Sequence, residues 1–412
     1  MLAVSGLWLT VVLCTAEALT MVGFSSYPLL LAPLRDLWGL SNTDAGIIGG
    51  SFFAGYTVAV PFLVSITDRI GSRRVWLLGA ALTMIGMGGF GLFANGLAAA
   101  ALFQVVAGAG LAGTYMPGLR LLADHLPPHK QSRAVALYTA CFGIGSATSY
   151  LIADRLAQAF TWRADFLVPA MTTALAAVLV VLMVRPTPVG ERPGTALLDF
   201  RPVLRNRHAL GYSLAYFAHS WELYTARSWI ITFLGFVAVQ HGRNPGWLSP
   251  AHVAFMMSLL GILSIFMGNE FSIRFGRKRT VVALMTASAG VAAVLGTTQG
   301  PYLLTVMLAL LHGPLMTSES ASVTAGALGN ALAGYRGSTI AMHSMLGFAG
   351  GAVGPIVFGA ALDLAGGARM GGAWAAAYVL LAVLTLFGPL MLLTLRPRDL
   401  AGDGRRWRQK AV

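Results

Sequence analysis

Charge is what this chain has least of. Only 10% of its 412 residues are Asp, Glu, Lys or Arg, against about 25% in a soluble domain, and 56% are hydrophobic. No soluble fold of this length hides so much apolar surface, so the solvent must be a bilayer. Acidic residues are the scarcer kind, 15 against 28 basic ones, which leaves a net charge of +13. In a soluble protein that excess would suggest nucleic acid. Here the basic residues lie between apolar runs, where they set orientation, and no nucleic-acid partner is expected. Cysteine is almost absent: Cys14 and Cys141 sit in separate apolar runs, too few for a disulfide framework or a Cys metal site. The chain has no P-loop, no nucleophile–base–acid set and no metal-ligand cluster of fixed spacing. An ATP-driven pump, an enzyme and a resident cofactor are therefore not expected. Lys and Arg are missing before the first apolar run, as is a small-x-small cleavage pattern, so that run reads as a retained span.

What is present is a series of apolar runs of about 20 residues, the length of a membrane-crossing helix. They fall at 7–33, 43–66, 75–94, 98–122, 134–157, 162–184, 209–238, 250–272, 279–299, 301–329, 337–363 and 370–394. The continuous runs exclude the alternating pattern of a barrel, so the expected fold is all-α with twelve transmembrane helices. With the N-terminus inside, the inner loops carry 21 Lys or Arg and the outer loops five. That asymmetry places both termini in the cytoplasm of a cell whose inner membrane holds the protein.

The chain is also two copies of one unit. Glu17 and Glu222 are 205 apart, Gly71 and Gly276 are 205 apart, and Arg133 and Arg336 are 203 apart. The expected organisation is a six-helix bundle at 1–184, a cytoplasmic linker at 185–208, a second bundle at 209–395 and a basic tail at 396–412. Parallel repeats with a site at their interface are a transporter architecture.

Twelve spans as six plus six, with a basic turn after the second span of each half, resemble the major facilitator superfamily. That family's loop reads roughly G-x-x-x-D-R-x-G-R-R. Asp68, Arg69, Gly71 and Arg73 match it, Val64 replaces the first glycine, and Ser72 stands at a usually basic position. The second copy keeps Arg274, Gly276, Arg277 and Lys278, with Ile273 in place of the acid. The resemblance implies that the loop locks the inner face. Asp68 would meet the helix start near Arg336, and Arg69 or Arg73 would pair with Asp124, with Arg120 close to the gate. The family's antiporter signature in the fifth span is missing, although Gly350–Pro355 has a similar string in the eleventh.

The resemblance also implies that the first, fourth, seventh and tenth spans line a central cavity. Most buried ionisable residues fall on them: Glu17, then Arg120, then His219, Glu222 and Arg227, then His312 and Glu319. Charges in hydrocarbon are costly and mark function by default. At about 100° per residue, His219, Glu222 and Trp229 share one helix face, and so do His312, Met316 and Glu319. Arg227 lies about 140° from Glu222 and stacks more naturally on Tyr224. Glu17, Glu222 and Glu319 are the candidate proton carriers, His219 and His312 candidate relays, and Arg227 the candidate anion binder, because its planar fork matches a carboxylate. Tyr224, Trp221 and Trp229 could wall the ligand. The expected activity is alternating-access movement of a small solute by a monomer, coupled to protons, with a lean to symport of a small organic or inorganic anion. Proton-coupled efflux of amphiphilic or cationic compounds is the alternative, and a receptor or scaffold that carries no solute is a second one.

Overall fold

A computed structural model describes residues 6–186, 199–242, 245–298 and 300–404, without the side chains of Asp68, Pro128, His129 and Ser132. Among the described residues every regular element is a helix. In order they are α1 (Gly6–Thr20), α2 (Ser26–Trp38), α3 (Asn42–Ile70), α4 (Ser72–Phe93), α5 (Leu97–His125), α6 (Pro128–Ala159), α7 (Ala164–Met183), α8 (Arg201–Arg205), α9 (Arg207–Gln240), α10 (Pro250–Phe275), α11 (Arg277–Thr297), α12 (Tyr302–Ser318), α13 (Ser320–Gly329), α14 (Arg336–Leu364), α15 (Gly371–Thr385) and α16 (Phe387–Leu395).

Among the described residues nine helical spans are long and apolar enough to cross a membrane. The other three of the twelve expected are the first, seventh and tenth. The first is broken into α1 and α2 by turns over 21–25. The tenth is broken into α12 and α13 at Glu319 itself. The seventh, α9, is 34 residues long but too polar. Pro314 removes one backbone donor just before the tenth-span break. Thr317 Oγ1 then donates back to the carbonyl of Gly313 at 2.9 Å and Ser318 Oγ to that of Leu315 at 2.9 Å. Such back-bonding loosens and bends a helix. By contrast α14 runs unbroken through Pro355.

The chain divides into two compact units, one of residues 1–30 and 51–194, the other of 31–50 and 195–412. This departs from the division at 184 and 209: the end of α2 and the first turns of α3 cluster with the second unit. The reason is local. Asp363, at the C-terminal end of α14, accepts from the backbone N–H of Asn42 (3.1 Å) and Thr43 (2.8 Å), and from Asn42 Nδ2 (2.7 Å) and Thr43 Oγ1 (2.6 Å). It thereby caps the start of α3 from another helix, satisfying donors that a helix leaves open. Gly46 and Gly50 then let α3 press on the carbonyls of Pro355 and Ala352, where a side chain would collide.

Each unit has its own apolar core. In the first, Leu13, Ala16, Trp76, Leu121 and Tyr138 are fully buried around α1, α4, α5 and α6. In the second, Tyr212, Ala218, Met285 and Val323 are fully buried around α9, α11 and α13. The turns that begin α4 and α11 are alike. Gly71 has φ 86° and Gly276 has φ 96°, a region that a side chain rarely tolerates.

Of the expected linker, residues 187–198 lie outside the described residues, and 201–205 form α8. Of the expected tail, 405–412 lie outside them. Residues 396–404, the described part of that tail, are fastened to the second unit. Asp403 pairs with Arg277 at 2.9 Å with both side chains buried, Asp399 accepts the backbone N–H of Lys278 at 2.8 Å, and Gly404 donates to the Ile273 carbonyl at 2.8 Å.

Candidate functional site

The second unit carries a fully buried polar cluster on α9, α11 and the α12–α13 break. Sequence periodicity puts His219 with Glu222 on one helix and His312 with Glu319 on another. In space the partners cross. His219 Nδ1 lies 2.9 Å from Glu319 Oε1, and His312 Nε2 lies 2.8 Å from Glu222 Oε1. Ser288 of α11 donates to the same Glu222 oxygen at 2.7 Å. None of the four ionisable side chains exceeds 1% exposure. In hydrocarbon an unpaired charge is costly, and a carboxylate beside an imidazole can carry a shared proton with no net charge on the pair.

The pairs are not saturated. Glu222 Oε2 and His312 Nδ1 are buried with no hydrogen-bond partner. Each is a position from which a proton can be added or lost by a pair whose other atoms are already fixed. Two further residues that the sequence reading did not single out extend the cluster. The Tyr216 ring stacks on both His219, at 5.5 Å, and His343 of α14, at 4.1 Å. His343 is anchored by Thr324 Oγ1 at 3.1 Å and Ser213 Oγ at 3.3 Å. A histidine in the eleventh span was visible in the sequence, but not its place beside α9.

The remaining expected residues of this unit divide. Arg227 is half-buried, one turn past the cluster. The Tyr224 ring stacks on Phe348 at 5.6 Å. Trp229 is fully buried; its indole N–H donates to the Pro355 carbonyl at 3.2 Å and its ring packs on Phe358 and Trp374. That is a packing role between α9, α14 and α15, not a ligand wall.

The first unit has a leaner counterpart. Glu17 is fully buried and accepts from Tyr138 Oη of α6 at 2.6 Å, while its Oε1 has no partner. Near the α1–α2 break lies a cavity of about 10 Å³, bordered by Thr20, Thr83 and Thr114, room for roughly one water. Tyr138, apolar by periodicity, carried no signal in the sequence.

At the turn between α3 and α4, Asp124 accepts from Ser72 Oγ at 3.0 Å and lies 3.8 Å from Arg120, which also donates to Thr67 Oγ1. Arg73 donates instead to the Val181 carbonyl at 2.8 Å, and Arg69 is exposed. The expected pairing of Arg69 or Arg73 with Asp124 is thus replaced by Ser72 and Arg120. The short hydroxyl at a usually basic position reaches the acid from the first turn of α4. The side chain of Asp68 lies outside the described residues.

Comparison with known proteins agrees with this architecture. An efflux pump of Mycolicibacterium smegmatis is 26% identical over 276 residues, 63% of this chain and 57% of the pump. A hexuronate transporter of Bacillus subtilis is 23% identical over 292 residues, 65% of this chain and 68% of that one. A further Bacillus subtilis protein, named for niacin and nicotinamide transport, is 27% identical over 151 residues, 37% of each chain. The alignments thus reach from about a third to about two thirds of these relatives' length. Among solved structures, the nucleoside transporter NupG superposes with TM-score 0.77 at 14% identity, over 95% of this chain and 99% of its own. A bacterial homologue of the lysosomal transporter Spinster superposes with TM-score 0.73 at 16% identity, over 96% of both. The pattern of the Major Facilitator Superfamily matches residues 13–269, well over half of the chain. Nine membrane-length apolar helices among the described residues, a repeated glycine turn and that match have one reading: the chain is not an enzyme but a multi-pass membrane protein that belongs to the major facilitator superfamily.

Proposed function

We propose that the protein is a secondary transporter that moves a small organic carboxylate together with protons by alternating access. The observation that carries the reading is the crossed arrangement of His219–Glu319 and His312–Glu222. Two histidine–carboxylate pairs are a costly choice for packing a bundle, since apolar residues of like volume are often as stable or more so. They suit a carrier whose pairs gain and lose a proton as access changes sides. Glu222 Oε2 and Glu17 Oε1, both without partners, are the proposed loading atoms. Arg227, close to Tyr224 on α9, is the proposed carboxylate binder. One relative is named for hexuronate, a carboxylate, and another for niacin, a carboxylate, together with its uncharged amide nicotinamide. The loop of Asp68, Arg69, Gly71 and Arg73, with Arg120 and Asp124, is the proposed inner gate. The protein works as a monomer in the inner membrane with both termini in the cytoplasm.

The test is uptake of labelled nicotinate and glucuronate into proteoliposomes under an imposed proton gradient. Wild type should concentrate at least one of them, and collapsing the gradient should stop it. Glu222→Gln and Glu319→Gln should lose gradient stimulation tenfold or more while still exchanging the solute at equilibrium, and Arg227→Ala should lose binding. Undiminished gradient-driven uptake in the double Gln variant would remove the proton role. The efflux-pump relative favours one other reading: gradient-driven extrusion of a cationic dye, with neither acid moved, would establish that instead.

A further inference from the structure

Positive charge on an inner loop is expected of any such protein. Its convergence on one cleft is not. In the second unit an open cleft of about 580 Å³ is lined by Arg201, Pro202, Arg205, Arg207, His208 and Leu332. Arg201 and Arg205 stand four residues apart on α8, so they share a face, where like charges repel. None of the three arginines has a carboxylate partner among the described residues; the acid nearest in sequence, Asp199, accepts only the backbone N–H of Arg201, at 3.2 Å. His208 Nδ1 is buried without a partner, and burial, with the charges of Arg207 and Arg398, disfavours the protonated imidazole. Arg398 is brought there by the docked tail: its carbonyl accepts from Asn330 Nδ2 at 3.0 Å. The cleft is built rather than incidental. Asn206 caps α9 by accepting the N–H of His208 at 3.1 Å, and its amide donates to the Asn330 carbonyl at 2.7 Å. That bond holds the turn bearing Leu332 against α8.

We propose that this cleft binds a phosphate-bearing anion, with three guanidinium forks on the phosphate oxygens. The surroundings favour the headgroup of an anionic phospholipid over soluble phosphate. Leu204 and Leu332 are 55% and 46% exposed beside the arginines, the pairing of apolar and basic groups that suits the edge of a bilayer. The site is independent of the proton and carboxylate chemistry proposed above.

The full-length protein in detergent is titrated with cardiolipin, phosphatidylglycerol, phosphatidylcholine or inorganic phosphate, and bound lipid is read by native mass spectrometry and thermal shift. The site variant is Arg201→Gln with Arg205→Gln and Arg207→Gln. A control removes the same charge elsewhere in the inner loops, through Arg74→Gln, Arg279→Gln and Arg396→Gln. Expected is binding of the anionic lipids at least tenfold tighter than of phosphatidylcholine, lost in the site variant and kept in the control. If millimolar phosphate gives the same shift and the lipids add nothing, the anion site stands and its source is soluble phosphate. Equal anionic-lipid binding by the site variant, equal loss in both variants, or no preference over phosphatidylcholine would each overturn the proposal. Thermal unfolding without added lipid confirms that both variants are folded.

Discussion

The two halves of this chain start from one plan and solve it with different chemistry. Gly71 and Gly276, 205 positions apart, both hold positive φ. The next residue is Ser72 in one half and Arg277 in the other. Ser72 reaches Asp124 on a helix of its own bundle. Arg277 is 3% exposed and needs a counter-ion, which the chain supplies as Asp403 from beyond the last helix. The central acids differ in the same way. Glu17 rests on a neutral phenol, while Glu222 and Glu319 each have a histidine. The backbone demand of the turn has kept the repeat at its glycine. The side chains were free to diverge wherever a partner could be found.

That contrast can be broken most sharply at the tail. Asp403→Ala strands a buried guanidinium and should cost about 3–5 kcal/mol, seen as a large drop in thermal unfolding of the purified protein. A cost no greater than that of Asp124→Ala would erase the difference between the loops. Glu319→Ala, which leaves His219 without its acid, should cost about 3 kcal/mol by the same measure. Tyr138→Phe, which leaves the Glu17 carboxyl without its donor, should cost about 1–3 kcal/mol; a loss as large as that of Glu319→Ala would make the two central sites equivalent. Smallest should be Asp124→Ala, at or below about 1 kcal/mol, because its pair with Arg120 is long and partly solvated.

Much of the fold was legible because hydrophobicity and charge are local signals. Run length identified the helices, and the 205-residue offset identified the copies. The acids and histidines of the cluster were also visible, since a charge inside an apolar run is conspicuous. Their partners were not. Periodicity relates residues on one helix, so it grouped His219 with Glu222, whereas the bonds run between α9 and the α12–α13 break. Ser288, Tyr138 and Tyr216 stayed hidden because hydroxyls and lone rings are ordinary in such helices, and His343 was visible without any sign of its place beside α9. Trp229 looked available because it shares a face with His219, but α14 and α15 close over it.

The sequence by itself determined a twelve-span helical membrane protein with two related halves, because burying apolar runs in lipid leaves the backbone no alternative to helix. Tertiary structure decided which buried acid meets which histidine and that Asp363 and Asp403 act as clasps. It also decided that Arg201 and Arg205 of α8 line one cleft with Arg207 and His208 of α9. Those outcomes depend on helix register and on chain segments hundreds of residues apart, and no local pattern encodes either.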